Sequence, residues 1–170
     1  MNNKEIYTCK SGKLLGLNII SNGFVTHIRK TISKGNGILT NLKRFRNLTP
    51  KIKATLVKTL LIPVITYPSI PIVMASRIQK IKMQTILNKA LIFIHCNEEE
   101  YFNTAELHLK YNIAPINITN HHKALKTWET INTCENDQYN RLVTDYTNTH
   151  FWFPKTSTII NMELPTPIIT

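Results

Sequence analysis

Phe24, Ile28, Ile32, Gly35, Leu39, Leu42 and Phe45 follow one another at steps of three or four residues. That is the period of one face of an α-helix, so residues 24–47 are committed to a helix with a side that seeks a core. The positions between them carry Arg29, Lys30, Lys34, Lys43, Arg44 and Arg46, with no acid. Solvated faces normally mix both signs. A helix apolar on one side and purely cationic on the other therefore calls for a core and for an anion. Gly35 and Gly37 interrupt it at a cost of about 1 kcal/mol each relative to alanine. They mark a bend, a close approach to another helix or a ligand, or positions that are simply tolerated.

The rest of the chain is punctuated in the same terms. Near the start, "EIYTCK" and "KLLGLNII" flank Ser11-Gly12, a two-residue turn that predicts a β-hairpin. Thr49-Pro50 starts a second helix, with Thr as cap and Pro at the first helical position. Its stripe reads Ile52, Leu56, Leu60, Val64, and Pro63 should kink it. The prolines between Tyr67 and Pro71 predict an extended connector. A third helix is expected from Ser76 to Ile94, with Ile78, Met83, Ile86, Ala90 and Phe93 aligned. Thr104 is placed as the cap of a short helix, "AELHLKY", and a longer one spans Asn117 to Asn132. From Tyr146 onward periodicity fades and an irregular tail is expected.

Charge divides the chain. Residues 1–96 hold 16 Lys or Arg and one acid, Glu5, whereas residues 97–170 hold five Lys or Arg and nine acids. With a net charge of +11, this asymmetry points to a polyanion as partner of the first half. Arg29, Lys30, Lys34, Lys43, Arg44 and Arg46, continued by Lys51, Lys53 and Lys58, can neutralise backbone phosphates without reading sequence. Regular cations on a helix pair suit a duplex better than a stacked single strand, because few aromatics interleave with them. His27, beside Arg29, is expected to face the same partner.

Several classes of chemistry are excluded. No P-loop, dinucleotide glycine fingerprint or nucleophile elbow occurs. The basic half holds Glu5 as its single carboxylate and so has no acid pair for two metal ions. The triplet Glu98-Glu99-Glu100 reads as a solvated loop, and His108, His121, His122 and Cys134 fit no zinc spacing. Three unpaired-looking cysteines, with no leader at the polar start, suit a reducing compartment. The apolar run from Leu60 to Ala75 is too short to span a bilayer and is broken by Pro63, Pro68 and Pro71, so no membrane partner is expected.

Four phrases in order carry a resemblance: "KLLGLNI", "FVTHIRK", "KIKATLVKTLLIPVITY" and "MQTILNKALIFI". Together they resemble the end of the palm and the thumb of reverse transcriptases from non-LTR retrotransposons, especially the jockey-like group. "TAELHLKYNIAPINITNHHKALKTWETI" is similar to the segment that follows the thumb there. The marker residues are His27, then Pro63 with Tyr67, then Gln84 with Asn88, Lys89, Ala90 and Leu91. Ile92 stands where the family usually has arginine, and Pro68 where it has glycine.

The resemblance implies a mainly α fold, a small thumb-like helical bundle preceded by a β-hairpin and followed by a helical, partly irregular C-terminal segment. It divides the chain into a palm remnant at 1–20, a basic thumb-like domain at 21–96, a helical segment at 97–145 and a tail at 146–170. It implies a part of an RNA-directed DNA polymerase that grips an RNA–DNA or DNA duplex, with Gln84 and Lys89 joining the cations above. The family's metal-binding aspartates have no counterpart, since Asp137 and Asp145 are the only aspartates and stand in no such phrase. Catalytic residues are therefore expected to be absent, with Mg²⁺ confined to a palm that, with the fingers, would precede Met1 and be a partner. An intracellular site, nucleus or cytoplasm, goes with this reading. The alternative is a non-catalytic helical module whose basic face meets an acidic protein.

Overall fold

The computed structural model describes residues 11–14, 17–20, 24–96 and 103–133, and its architecture is mainly helical. Two short paired segments, β1 (Ser11–Leu14) and β2 (Leu17–Ile20), precede α1 (Val25–Leu42), a 3-10 turn at Lys43–Phe45, and α2 (Pro50–Leu56). A π-helical turn at Val57–Leu61 joins α2 to α3 (Ile62–Ile65), and α4 (Ser69–Val73), α5 (Arg77–His95), α6 (Thr104–Lys110) and α7 (Ile116–Asn132) follow. No described helix is long and apolar enough to cross a membrane.

The expected hairpin, with strands at 5–10 and 13–20 around Ser11-Gly12, is contradicted. Ser11 and Gly12 are paired with Ile20 and Ile19, so they lie within an extended segment instead of turning the chain. Two turn-competent glycines compete here, Gly12 and Gly16, and local sequence does not choose between them. Residues 1–10 lie outside the described residues, as do the acidic triplet at 98–100 and the tail from 146. The eight paired residues form no sheet layer; β2 lies against α1, and the described fold is a helical bundle.

At the centre of the bundle is α5, which packs against α1, α2, α6 and α7. From Met83 to His95 it is buried on every side except a solvent stripe at Thr85, Lys89 and Ile92. Ser76 starts it through a capping box: its Oγ accepts from the Gln79 amide at 3.3 Å, and its own amide donates to Gln79 Oε1 at 3.0 Å. The start of α6 is built alike, but on Asn103 instead of the expected Thr104, with Asn103 and Glu106 exchanging bonds of 2.9 Å. Leu107, Ile113 and Ile116 enter the same core as Ile28, Leu39 and Leu42 of α1.

Two expected stripes shift. On α2, Ile52 and Leu60 are 48% and 49% exposed, and the buried face is Lys53, Val57, Leu61 and Ile65. Those four are spaced four apart, more than the 3.6 residues of an α-turn, and would drift around a regular helix. The π-turn holds them in line: the Ile62 amide donates to the Val57 carbonyl, five residues back. Pro63, which can donate no amide hydrogen, follows directly. On α5, Ile78 is exposed and the core contacts begin at Met83. The expected extended connector at 67–71 also folds, in part, into α4.

The two glycines of α1 separate cleanly. A Cβ on Gly35 would stand 2.9 Å from Ile65 Cγ2 and 3.4 Å from Ile86 Cδ1, so α1 approaches α3 and α5 there too closely for a side chain. Gly37 has nothing within 4 Å of that position. Gly35→Ala should therefore destabilise by about 1–2 kcal/mol net, because Ile65 is β-branched and stiff and overpacking outweighs helix propensity. Gly37→Ala should stabilise by about 0.5–1 kcal/mol. Urea midpoints of the two variants, moving in opposite directions, check the pair.

Candidate nucleic-acid interface

The twelve residues singled out from sequence divide into two groups. Arg29, Lys30, Lys34, Lys43, Arg44 and Arg46 are exposed along α1 and the turn after it, as are Lys51 and Lys58 on the second helix and Lys89 on α5. His27, Lys53 and Gln84 are buried. Residues 24–96 contain no acid at all, so no carboxylate of that stretch offsets the exposed cations.

Each buried residue has a structural account. Lys53 is 0% exposed: its stem joins the face made by Val57 and Leu61, and Nζ lies 3.6 Å from Cys96 Sγ and 5.5 Å from the centre of the Phe93 ring. Gln84 ties α5 to the α6–α7 junction. Its Nε2 donates to Asn88 Oδ1 at 2.7 Å and meets His108 Nε2 at 3.1 Å, while its Oε1 accepts from the Ile116 amide at 2.9 Å. His108 Nδ1 lies 2.6 Å from the Ile113 carbonyl, which can only accept. Nδ1 therefore donates there, while Nε2 lies between the Gln84 amide and Asn88 Oδ1, the latter at 3.3 Å. Gln84 and Asn88 thus brace helices and are withdrawn from any surface contact.

His27 faces a different interior. Its Nε2 is 3.5 Å from Thr31 Oγ1, and it hydrogen-bonds the Tyr67 backbone. Burial, opposed by that bond and aided by the nearby Lys30 charge, holds its pKa below the ordinary 6.5. The imidazole is accordingly neutral near pH 7, and contributes shape, not charge, to the wall on which it stands.

That wall belongs to a groove of about 1190 Å³ between α1 and α7, floored by α3, α4 and the chain joining them. His27, Lys30, Thr31 and Lys34 line it from α1 at offsets of three, four and seven residues, one helical face. Lys123, Lys126, Thr127 and Thr130 line it from α7 at the same offsets. The floor carries Pro63, Val64, Tyr67, Pro68, Ile70 and Pro71. Lys123 Nζ donates to Thr66 Oγ1 at 2.8 Å, and that hydroxyl donates on to the Ile62 carbonyl at 2.8 Å. No carboxylate is among the lining residues. Lys123 and Lys126 escaped sequence reasoning because they lie in the half of the chain with more acids than bases. The signal that could have found them is the Lys-Thr pair, at 30–31 and again at 126–127, on helical faces of the same spacing.

Among the described residues no cluster of His, Cys, Asp or Glu could hold a metal ion. Cys134, weighed with the histidines above, lies outside them. No protein-family model, no curated protein and no solved structure matches the chain.

Two outcomes are expected. With His27 held below 6.5, the unfolded chain binds more protons than the folded one between those two values, so stability rises with pH there and is lost on acidification. His27→Gln should flatten that loss, read as the change in urea midpoint between about pH 7.5 and about pH 5.5. Gln84→Leu should cost about 1–3 kcal/mol by leaving the Ile116 amide and its side-chain partners unmatched in the interior. An unchanged midpoint in that variant would remove Gln84 from the bracing role.

Proposed function

We propose that the chain is a part of an RNA-directed DNA polymerase of a non-LTR mobile element, the thumb-like portion that grips a template–primer duplex through its phosphates. It carries no polymerase centre of its own. The observation that supports this most is the run from 24 to 96, a helical core with 13 Lys or Arg and no acid. Those exposed on α1 and on the second helix stand where a phosphate backbone can reach them. Such contacts fix position without reading bases, which suits holding a product duplex of any sequence. The marker phrases of the resemblance support the reading too. Their His27, Gln84 and Asn88 act as internal braces, so they keep the bundle in shape for the cations outside.

A second reading, a non-catalytic module that docks on an acidic protein, draws on Ile52 and Leu60. Both are about half exposed, close in sequence to the exposed Lys51 and Lys58. Salt dependence separates the two. If Arg29, Lys43 and Arg44 contact phosphates, replacing all three by Gln should weaken duplex binding by a similar factor for every sequence. The slope of log affinity against log salt should become shallower by about 0.9 per lost contact. Leu39→Ala, in contrast, removes a buried side chain and should cost about 2–5 kcal/mol of stability. An unchanged slope in the charge variant would leave the acidic-protein reading in front. Primer extension with Mg²⁺ or Mn²⁺ should be silent, and template-dependent incorporation by the purified chain would overturn the non-catalytic assignment.

A further inference from the structure

We propose that the groove between α1 and α7 binds a single nucleic-acid strand, with lysines on both walls taking phosphates and Tyr67 on the floor offering its ring to a base. The inference rests on the nucleic-acid reading above and adds a second, separate site to it. A duplex presents a convex, continuous phosphate surface, which the exposed Arg29, Lys43 and Arg44 can meet without a groove; none of the three lines this one. The groove has another character. Lys30 and Lys34 stand on one wall and Lys123 and Lys126 on the other, over a floor of proline, valine, isoleucine and tyrosine. Cationic walls above an apolar, aromatic floor are what a strand with its bases turned inward requires.

Three further observations bear on the occupant. Tyr67 is 56% exposed and lines the groove, while its backbone is tied to His27, so solvent and a ligand can reach its side chain. At about 1190 Å³ the groove exceeds the roughly 300–1,000 Å³ of small-molecule pockets, and its open form suits a polymer. Thr31 and Thr127 each follow a wall lysine, but the Thr31 hydroxyl is buried against His27 and Thr127 donates its own to the Lys123 carbonyl at 2.8 Å, so phosphate contacts on the walls fall to the lysines. An acidic peptide would use the lysines as well, but a chain of glutamates alone offers no flat ring for Tyr67 to stack on. The tyrosine therefore distinguishes the two occupants.

The test uses the whole chain and two fluorescent probes, an oligothymidylate of about 10 nucleotides and a blunt DNA duplex. The paired change Lys123→Gln with Lys126→Gln should weaken oligothymidylate binding about tenfold and reduce its salt slope by about 1.4, two contacts at 0.7 each for a single strand. Tyr67→Leu should weaken it about tenfold with the salt slope unchanged. Duplex binding should stay within about twofold in both, and should instead fall in the Arg29, Lys43 and Arg44 variant. Because Lys123→Gln also breaks the bond to Thr66, Lys126→Gln alone serves as the variant that cannot be dismissed as misfolded. Its side chain is exposed, and it should still lower single-strand affinity.

If the groove variants leave oligothymidylate binding untouched while duplex binding persists, the single-strand site is overturned and the duplex reading stands. If polyglutamate displaces oligothymidylate as well as an unlabelled copy does, and Tyr67→Leu has no effect, the groove is a site for acidic protein and the proposal fails. Absence of binding to either nucleic acid overturns this inference and the reading beneath it together.

Discussion

Everything in this bundle depends on α5 being buried along two faces at once. A helix that packs only on one side can be displaced by sliding; one enclosed by α1, α2, α6 and α7 has a fixed place and fixes theirs. Apolar contacts supply the attraction, through Met83, Ile86, Leu87, Ala90, Leu91 and Ile94, but they are non-directional. Direction comes from the polar braces. Gln84 meets one amide, one imidazole and one carboxamide, which uses both of its N–H donors and one of its two acceptor positions. That arrangement sets how α6 and α7 leave α5. It therefore also sets where Lys123 and Lys126 stand relative to α1. The interior hydrogen-bond network thus contributes to the shape of the groove, together with the packing of α4 on α7, although none of the network's residues lines it.

The cations fall into groups with different neighbours. Arg29, Lys43, Arg44 and Arg46 extend along α1 and beyond its end, where solvent reaches them and salt would screen them. Lys30, Lys34, Lys123 and Lys126 face one another across a concave surface, where low-dielectric walls strengthen the field on an anion between them. Lys53 belongs to neither, since packing on Phe93 and Cys96 takes it out of reach of any ligand. Net charge alone treats these residues as equivalent. Their surroundings do not.

Sequence by itself determined the helical course of α1 as far as Leu42, the start of α2 at Thr49-Pro50, a helix from about Ser76 and the excess of cations over residues 1–96. Each rests on spacing, on composition or on a residue such as Pro50 at the first helical position, although Thr49 makes no side-chain bond at that helix start. Competing local signals were another matter. Ile52, Leu56, Leu60 and Val64 make as regular a stripe as the face that is buried, and Gly12 offers as good a turn as Gly16. The choice between stripes was made by the π-turn and by the space beside α5; that between Gly35 and Gly37 by the methyl groups of Ile65 and Ile86. Which lysines share a groove was decided only in the tertiary structure. Lys34 and Lys123 are far apart in the chain, and no local period connects them; the packing of α3 and α4 between α1 and α7 does.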